Sequence, residues 1–76
     1  MPLQVDLKSR ISIGELARRA GLRTSAIRYY ESIGLLPTPA RVSGRRTYDA
    51  DALERLRRIR LAQDSGFDLD EIKLLE

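Results

Sequence analysis

Arginine is the residue type in this sequence that is best suited to a binding role. Its guanidinium group donates several hydrogen bonds in a plane, in a geometry that matches phosphates and guanine edges. Residues 10–46 contain eight arginines against Glu15 and Glu31, a formal charge of +6, whereas residues 47–76 carry −3. A basic half on a small domain indicates binding to a nucleic-acid backbone. A merely solvated, arginine-rich surface is the alternative that charge alone leaves open.

Groups suited to catalysis are scarce. The sequence contains no histidine and no cysteine, which removes the commonest general base, the commonest metal ligand and any thiolate. Negative charge is favoured at a helix start and no calcium-loop motif is present, so a metal hypothesis for the crowded carboxylates is weak. These carboxylates are Asp64, Asp68, Asp70 and Glu71. We therefore expect no enzyme activity, no metal and no other cofactor.

Length and hydropathy limit the remaining classes. A chain of 76 residues has room for one domain with one small core. No apolar run approaches the roughly 18 residues that a membrane span needs, and residues 1–10 lack the apolar stretch of a signal peptide. We expect one globular domain that works in the cytoplasm and has no membrane partner.

Two short helices joined by a tight turn would position the central arginines. Ser12 and Glu15 form a capping-box pattern, in which each side chain binds the backbone amide of the other, and they predict a helix over 13–20 that stops at a glycine. Thr24 would cap a second helix over 25–33. Such a pair is typical of the helix-turn-helix, whose second helix enters the major groove of DNA.

The second helix is expected to have two chemically different sides. Ile27 and Tyr30 share one side at helical spacing and should pack inward. The other side is small, basic and hydrogen-bonding, and it comprises Ser25, Arg28, Tyr29 and Ser32. This division is what a DNA-recognition helix requires.

A β-hairpin is predicted to follow. Pro37 and Pro39 exclude a continuing helix, and the residues after them alternate loosely around a Ser43-Gly44 turn. We place this wing at 36–48. Its projecting side chains would be Arg41, Arg45 and Arg46, with Tyr48 at its exit.

Two further helices, over 51–65 and 69–76, are predicted at the end of the chain. Asp68 and Glu71 form a second capping-box pattern before the last helix. The residues of these helices expected to share the inward sides are Ala52, Leu56, Ile59 and Gln63 of the first, with Leu53 at its edge, and Leu69, Ile72 and Leu75 of the second.

The predicted fold is therefore mainly α, a winged helix-turn-helix of four short helices with a small two-stranded β-hairpin wing. The domain would span residues 12–76. Residues 1–11 show no clear period and are predicted to form a loose arm or a short strand.

These residues resemble the N-terminal DNA-binding domain of the MerR family of bacterial transcription regulators. The most specific part of the resemblance is the run Ile27-Arg28-Tyr29-Tyr30-Glu31, followed at fixed distances by a Gly-Leu-Leu exit and an Arg-x-Tyr wing. One departure lies in the wing, where Arg45 stands in place of the usual aromatic residue. The matching segments are 13–22, 26–31, 34–36, 44–48, 53–56 and 62–72.

The resemblance implies a promoter-binding transcription factor. It implies double-stranded promoter DNA as the partner, RNA polymerase at the same promoter, and a bacterial cytoplasmic protein associated with the nucleoid. It also implies a homodimer in the full-length protein, formed through a C-terminal coiled coil absent from these 76 residues.

Arg28 and Ser25 are the candidates for contacts with base edges, although Arg28 could equally clamp a phosphate. Tyr29 would turn its hydroxyl to the DNA backbone, while Tyr30 would be mainly a core residue with a peripheral phosphate contact. The remaining candidates for the DNA backbone are Arg18, Arg41, Arg45, Arg46 and Tyr48, with Arg60 a weaker one.

Two other functions remain open on the sequence. A phage-type excisionase, which is a small architectural winged-helix protein of recombination, would need no effector domain. A winged helix used for protein contact is the alternative from another class, although the outer side of the second helix lacks the apolar anchors of a protein hot spot.

Overall fold

Four helices and one hairpin make up residues 10–75, the part of the chain that the computed structural model describes. The elements are α1 (Ile13–Ala20), α2 (Thr24–Ser32), β1 (Ala40–Val42), β2 (Arg45–Thr47), α3 (Ala50–Asp64) and α4 (Leu69–Leu75). The winged helix-turn-helix fold predicted from the sequence is confirmed. Most of the predicted arm, 1–11, and the final residue of the predicted helix 69–76 lie outside the described residues.

Local signals set the bounds of α1. The Ser12 hydroxyl accepts a hydrogen bond from the Glu15 amide at 3.1 Å, and Gly21 ends the helix in the left-handed region at φ 70°. The reciprocal half of the expected capping box is replaced, because the Glu15 carboxylate accepts from Arg18 and Arg19 instead.

The start of α2 differs from the prediction. Thr24 is the first helical residue, and Arg23 occupies the N-cap position without a side-chain hydrogen bond. The helix therefore runs one residue ahead of the predicted 25–33 and ends at Ser32. Arg23 is a poor capping residue because its side chain offers no acceptor.

The hairpin has a two-residue turn at the predicted position. Ala40 pairs with Thr47 and Val42 with Arg45, and both turn residues have positive φ, 52° at Ser43 and 79° at Gly44. Positive φ at both central residues is the type I′ geometry, whose twist matches that of the flanking strands. The turn therefore reverses the chain within two residues and keeps the two strands paired.

The base of the hairpin is extended by one more backbone pairing. Ile11 and Tyr48 exchange two hydrogen bonds of 2.9 Å each, and this bridge is isolated from the named strands. The segment before α1 therefore lies against the exit of the wing.

The core gathers side chains from all four helices and from the segment after α2. Seven side chains in it are almost fully buried: Leu16, Ile27, Leu35, Leu36, Leu56, Ile59 and Ile72. Leu75, which was expected to face inward, is instead 68% exposed, so only the first turns of α4 contribute to the core. Among residues 10–75, no helix is long and apolar enough to cross a membrane.

Caps also fix α3 and α4. The Asp49 side chain accepts from the Ala52 amide at 3.2 Å, and α3 consequently begins at Ala50 rather than at the predicted residue 51. Asp68 and Glu71 form both hydrogen bonds of a capping box, at 2.8 and 3.0 Å, as predicted. Two of the four crowded carboxylates are thus explained by capping.

Candidate nucleic-acid interface

The two sides of α2 are separated as the sequence predicts. Ile27 is fully buried and Tyr30 is 7% exposed, whereas Tyr29 is 53% exposed. Ser25 and Arg28 are exposed beside Tyr29. The structure thus presents one basic, hydrogen-bonding face of α2 to solvent.

Tyr30 is held inside by a second helix. Its hydroxyl donates to Oε1 of Gln63 on α3 at 3.2 Å. The hydroxyl therefore points towards α3 and not towards solvent. The core role expected for Tyr30 is confirmed, and its peripheral phosphate contact gains no support from the structure.

Arg41 and Arg45 are the exposed cations of the wing. Nη1 of Arg41 donates to the Gly44 carbonyl at 3.0 Å, which steadies the turn from one strand. Neither side chain is buried, so both guanidinium groups keep donors available for a phosphate.

Glu31 joins the wing to α2. Its Oε1 accepts from Nε of Arg46 at 3.1 Å, and its Oε2 accepts from the Tyr48 hydroxyl at 2.5 Å. The Glu31 side chain is only 9% exposed. A carboxylate so largely withdrawn from water requires such partners, because an unpaired charge out of water is costly.

Arg46 and Tyr48, two of the predicted DNA contacts of the wing, are engaged within the protein. Tyr48 is 3% exposed and its hydroxyl is turned to Glu31, not to solvent. Burial, and next the hydrogen bond to Glu31, raise the pKa of Tyr48 above its ordinary range. Arg46 is partly buried and ion-paired with the same carboxylate. Both residues therefore act first within the protein.

Arg28 lies near this cluster. Its positive charge, together with that of Arg46, opposes the rise in the pKa of Tyr48. Glu31, which lies three residues after Arg28 on α2, is hydrogen-bonded to Arg46 and Tyr48, so this end of α2 and the base of the wing are neighbours. The structure therefore brings Arg28 and the wing to one region.

A second charged group lies on α1. Glu15 accepts hydrogen bonds from Arg18 and from Arg19, and these bonds, that from Arg18 first, lower the pKa of Glu15 to about 2. The Arg18 side chain nonetheless remains 72% exposed. It is therefore oriented by Glu15 while staying accessible to a phosphate.

Arg60, for which a weak phosphate contact was expected, is engaged within the protein. Its Nη1 donates to the carbonyls of Ala20 and Gly21 at 2.9 and 3.0 Å. These are the last carbonyls of α1 and the turn, which lack partners within the helix. Arg60 therefore caps α1 from α3.

Sequence reasoning missed Glu31 as a residue of the interface. One signal was present, since Glu31 is the only acidic residue between Glu15 and Asp49. A lone carboxylate in a basic segment needs a partner there, but the sequence does not say which arginine supplies it.

A mixed-charge groove with a volume of about 590 Å³ lies between the wing and α3, with Arg10, Pro39, Asp51 and Arg58 in its walls. It contains both acidic and basic side chains, unlike the exposed face of α2.

Within residues 10–75 there is no group of three or more acidic, histidine or cysteine side chains that could hold a metal ion.

Comparison with known proteins gives a consistent family. Residues 11–76 match the family model described as MerR HTH family regulatory protein. The mercuric resistance operon regulatory protein of Bacillus cereus is 43% identical over 67 residues, which cover 87% of this chain and 51% of that protein. The chain thus spans about half the length of this curated relative.

Solved structures show the same fold. The transcription regulator PbrR691 from Ralstonia metallidurans CH34, solved in complex with lead(II), is 46% identical with a TM-score of 0.78, covering 86% of this chain and 51% of that one. HiNmlR, a MerR family regulator lacking the sensor domain and bound to promoter DNA, is 25% identical with a TM-score of 0.79, covering 87% and 51%.

Proposed function

The chain belongs to the MerR family of HTH regulatory proteins, and from this premise we propose that it recognises a specific promoter sequence in double-stranded DNA. Residues 12–76 act as the DNA-binding domain of a transcriptional regulator. The observation that carries the proposal is the exposed basic face of α2 beside a wing that Glu31 ties to the same helix.

In this proposal α2 lies in the major groove. Arg28 pairs with the O6 and N7 acceptors of a guanine, and Ser25 binds a neighbouring base edge or phosphate. The exposed hydroxyl of Tyr29 donates to a backbone phosphate. These three side chains share the face of α2 that the core leaves free.

Positioning on the DNA comes from cations beyond α2. Arg41 and Arg45 of the wing hold flanking phosphates, and Arg18 of α1 holds a phosphate on the other side of the recognition helix. Phosphate contacts of this kind fix register and orientation but carry no sequence information. Specificity is therefore assigned to α2, and much of the affinity to the wing and α1.

The full-length regulator acts as a homodimer, joined through a coiled coil outside these residues, and works with RNA polymerase at the promoter in the bacterial cytoplasm, on the nucleoid. The family resemblance supports this assembly. A dimer places two copies of α2 on two half-sites, and the second contact becomes intramolecular, which raises affinity. A single domain is accordingly expected to bind weakly.

The family match favours a regulator over an excisionase. A role in protein contact is disfavoured by the chemistry of the α2 face, where Tyr29 is the one large apolar side chain above half exposure. Protein interfaces rely on a central cluster of apolar anchors.

The test begins with selection of duplexes from a randomised pool by the 76-residue chain. Affinities for a selected and a random duplex are then measured by fluorescence anisotropy at several salt concentrations. With three phosphates neutralised by cations, namely Arg18, Arg41 and Arg45, log K should fall with log salt at a slope of about −2.7. Affinity without a salt slope, or no affinity for any duplex, would contradict the proposal.

Arg28→Ala provides the sequence-specific arm of the test. It should lower affinity for the selected duplex by about 1–3 kcal/mol and leave the random duplex within about threefold. Arg57→Ala is the matched control, because Arg57 is an exposed arginine paired with Glu54 on α3 and is assigned no DNA contact. Equal losses of affinity for Arg28→Ala and Arg57→Ala would contradict a specific contact of Arg28 in the major groove.

A further inference from the structure

We propose that Glu31 is a positioning residue for DNA binding: by holding Arg46 and Tyr48, its carboxylate sets the wing at a fixed place relative to α2. The inference rests on the proposed function. It assigns to Glu31 a role in DNA binding that does not require Glu31 to contact the DNA. Glu31 faces the protein, with a side chain 9% exposed, and reaches the wing through both of its oxygens.

The wing needs such a tie because it has little core of its own. Its strands have three residues each, and all three of β1 are exposed. A two-stranded hairpin is marginally stable without packing against another element. The orientation of the wing is therefore set by contacts at its base.

Within residues 10–75, side-chain hydrogen bonds lead from this base to two different parts of the fold, in addition to the backbone pairing of Tyr48 with Ile11. Nε and Nη2 of Arg10 donate to the hydroxyl and carbonyl of Thr47 at 2.8 and 3.0 Å, which connects the wing to the segment before α1. Glu31 connects the next residues of the wing to α2 itself. The distance between the recognition helix and the wing arginines therefore depends on Glu31.

A carboxylate suits this position better than any other side chain. Each of its oxygens accepts from a different donor, Arg46 on one side and Tyr48 on the other. Glutamine would offer one oxygen to Arg46 and one amino group to the Tyr48 hydroxyl, which can also accept. It would nevertheless lose the negative charge that pairs with Arg46 and strengthens both hydrogen bonds. Aspartate is shorter by one methylene and cannot reach both partners from the same backbone.

The experiment measures coupling between Glu31 and an arginine that it does not touch. Affinity for the selected duplex is determined by anisotropy for wild type, Glu31→Gln, Arg45→Ala and the double variant. Glu31→Gln should lower affinity about tenfold. In its presence Arg45→Ala should cost less than about twofold, against about fivefold in the wild type, because a displaced wing no longer brings Arg45 to its phosphate.

A phosphate-ethylation interference pattern supplies the second readout. With Glu31→Gln, interference at the flanking phosphates should disappear while that around the central bases persists. Glu54→Gln is the matched control, because Glu54 is a 60% exposed glutamate with an arginine partner on α3. It should leave both the affinity and the interference pattern at wild-type values.

Tyr48→Phe tests the same idea with a smaller change, in case Glu31→Gln does not fold. It removes one of the two donors and keeps the buried ring, and it should lower affinity about threefold with the same loss of the Arg45 effect. Thermal melting followed by circular dichroism checks that each variant is folded.

The outcomes separate the two proposals. If wild type binds DNA and Arg45→Ala costs the same with and without Glu31 or the Tyr48 hydroxyl, the positioning role is overturned and DNA binding stands. If wild type binds no duplex, DNA binding itself fails and the positioning role falls with it. Reduced affinity with a reduced Arg45 effect supports both.

Discussion

Replacing Gly21 by alanine should destabilise the turn between α1 and α2, because the added methyl group displaces the side chain of Arg60, a residue 39 positions away. Gly21 has a φ of 70°, and a Cβ built on it would lie 2.6 Å from Nη1 of Arg60. The end of an arginine can move aside at little steric cost. Moving it, however, breaks the hydrogen bonds to the carbonyls of Ala20 and Gly21.

The magnitude follows from two contributions. A non-glycine residue in the left-handed region costs roughly 1–2 kcal/mol. Loss of the two hydrogen bonds adds about 1 kcal/mol, which is below the usual contribution of charged donors, because Arg60 is exposed and water replaces much of the interaction. The total of about 2–3 kcal/mol corresponds to a fall in Tm of roughly 10–20 °C for a domain of this size.

Gly44→Ala is the matched control, since Gly44 has a φ of 79° and nothing lies within 4 Å of the added Cβ. Thermal and urea unfolding followed at 222 nm should show Gly21→Ala about 1 kcal/mol less stable than Gly44→Ala. In an Arg60→Ala background, Gly21→Ala should cost only its backbone part. Equal losses at both glycines, or an undiminished loss in that background, would refute the contribution of Arg60.

Three further predictions concern stability. The hydrogen bond from Arg18 is the main cause of the low pKa of Glu15, about 2; its ion pairs therefore stabilise the fold above about pH 4.5, and this is lost as the pH falls towards 2. Glu15→Gln should flatten the fall of Tm in that window, and an unchanged slope would contradict this. Ser12→Ala should cost about 1 kcal/mol in urea unfolding through the lost cap. Ile59→Ala should cost about 2–5 kcal/mol, whereas Leu61→Ala, at a site 68% exposed, should stay within about 0.5 kcal/mol; similar losses would count against the assigned core.

Features encoded by neighbouring residues were predicted correctly from the sequence. The Ser12 cap, the Gly21 stop and the Ser43-Gly44 turn each depend on side chains or φ preferences within a few positions. The separation of the α2 faces also follows from helical periodicity alone. These local signals, taken together, were enough to order the elements.

Partners chosen by tertiary packing were not predictable in the same way. Arg60 and Ala20 are 40 residues apart, and Glu31 meets side chains 15 and 17 residues away. The sequence shows that these arginines are basic but not which carbonyl or carboxylate each one reaches. For this reason Arg46 and Tyr48 were expected at the DNA, although the structure turns them towards Glu31.

Helix periodicity alone also misplaced Leu75. It shares a side with Leu69 and Ile72, but an inward position requires a neighbouring element over the last turn of α4. The residues described here offer none, and the side chain is 68% exposed. A periodic pattern gives the direction of a face, and packing decides how far along the helix that face is covered.

The tip of the wing has a practical use in measurement. Ser43 already holds a positive φ with a side chain attached, it is exposed, and these 76 residues contain no cysteine. Ser43→Cys would therefore create a single thiol at which one fluorophore or spin label can be attached. Such a reporter would follow the angle of the hairpin in real time, in solution and on a duplex, without labelling any other residue of the chain.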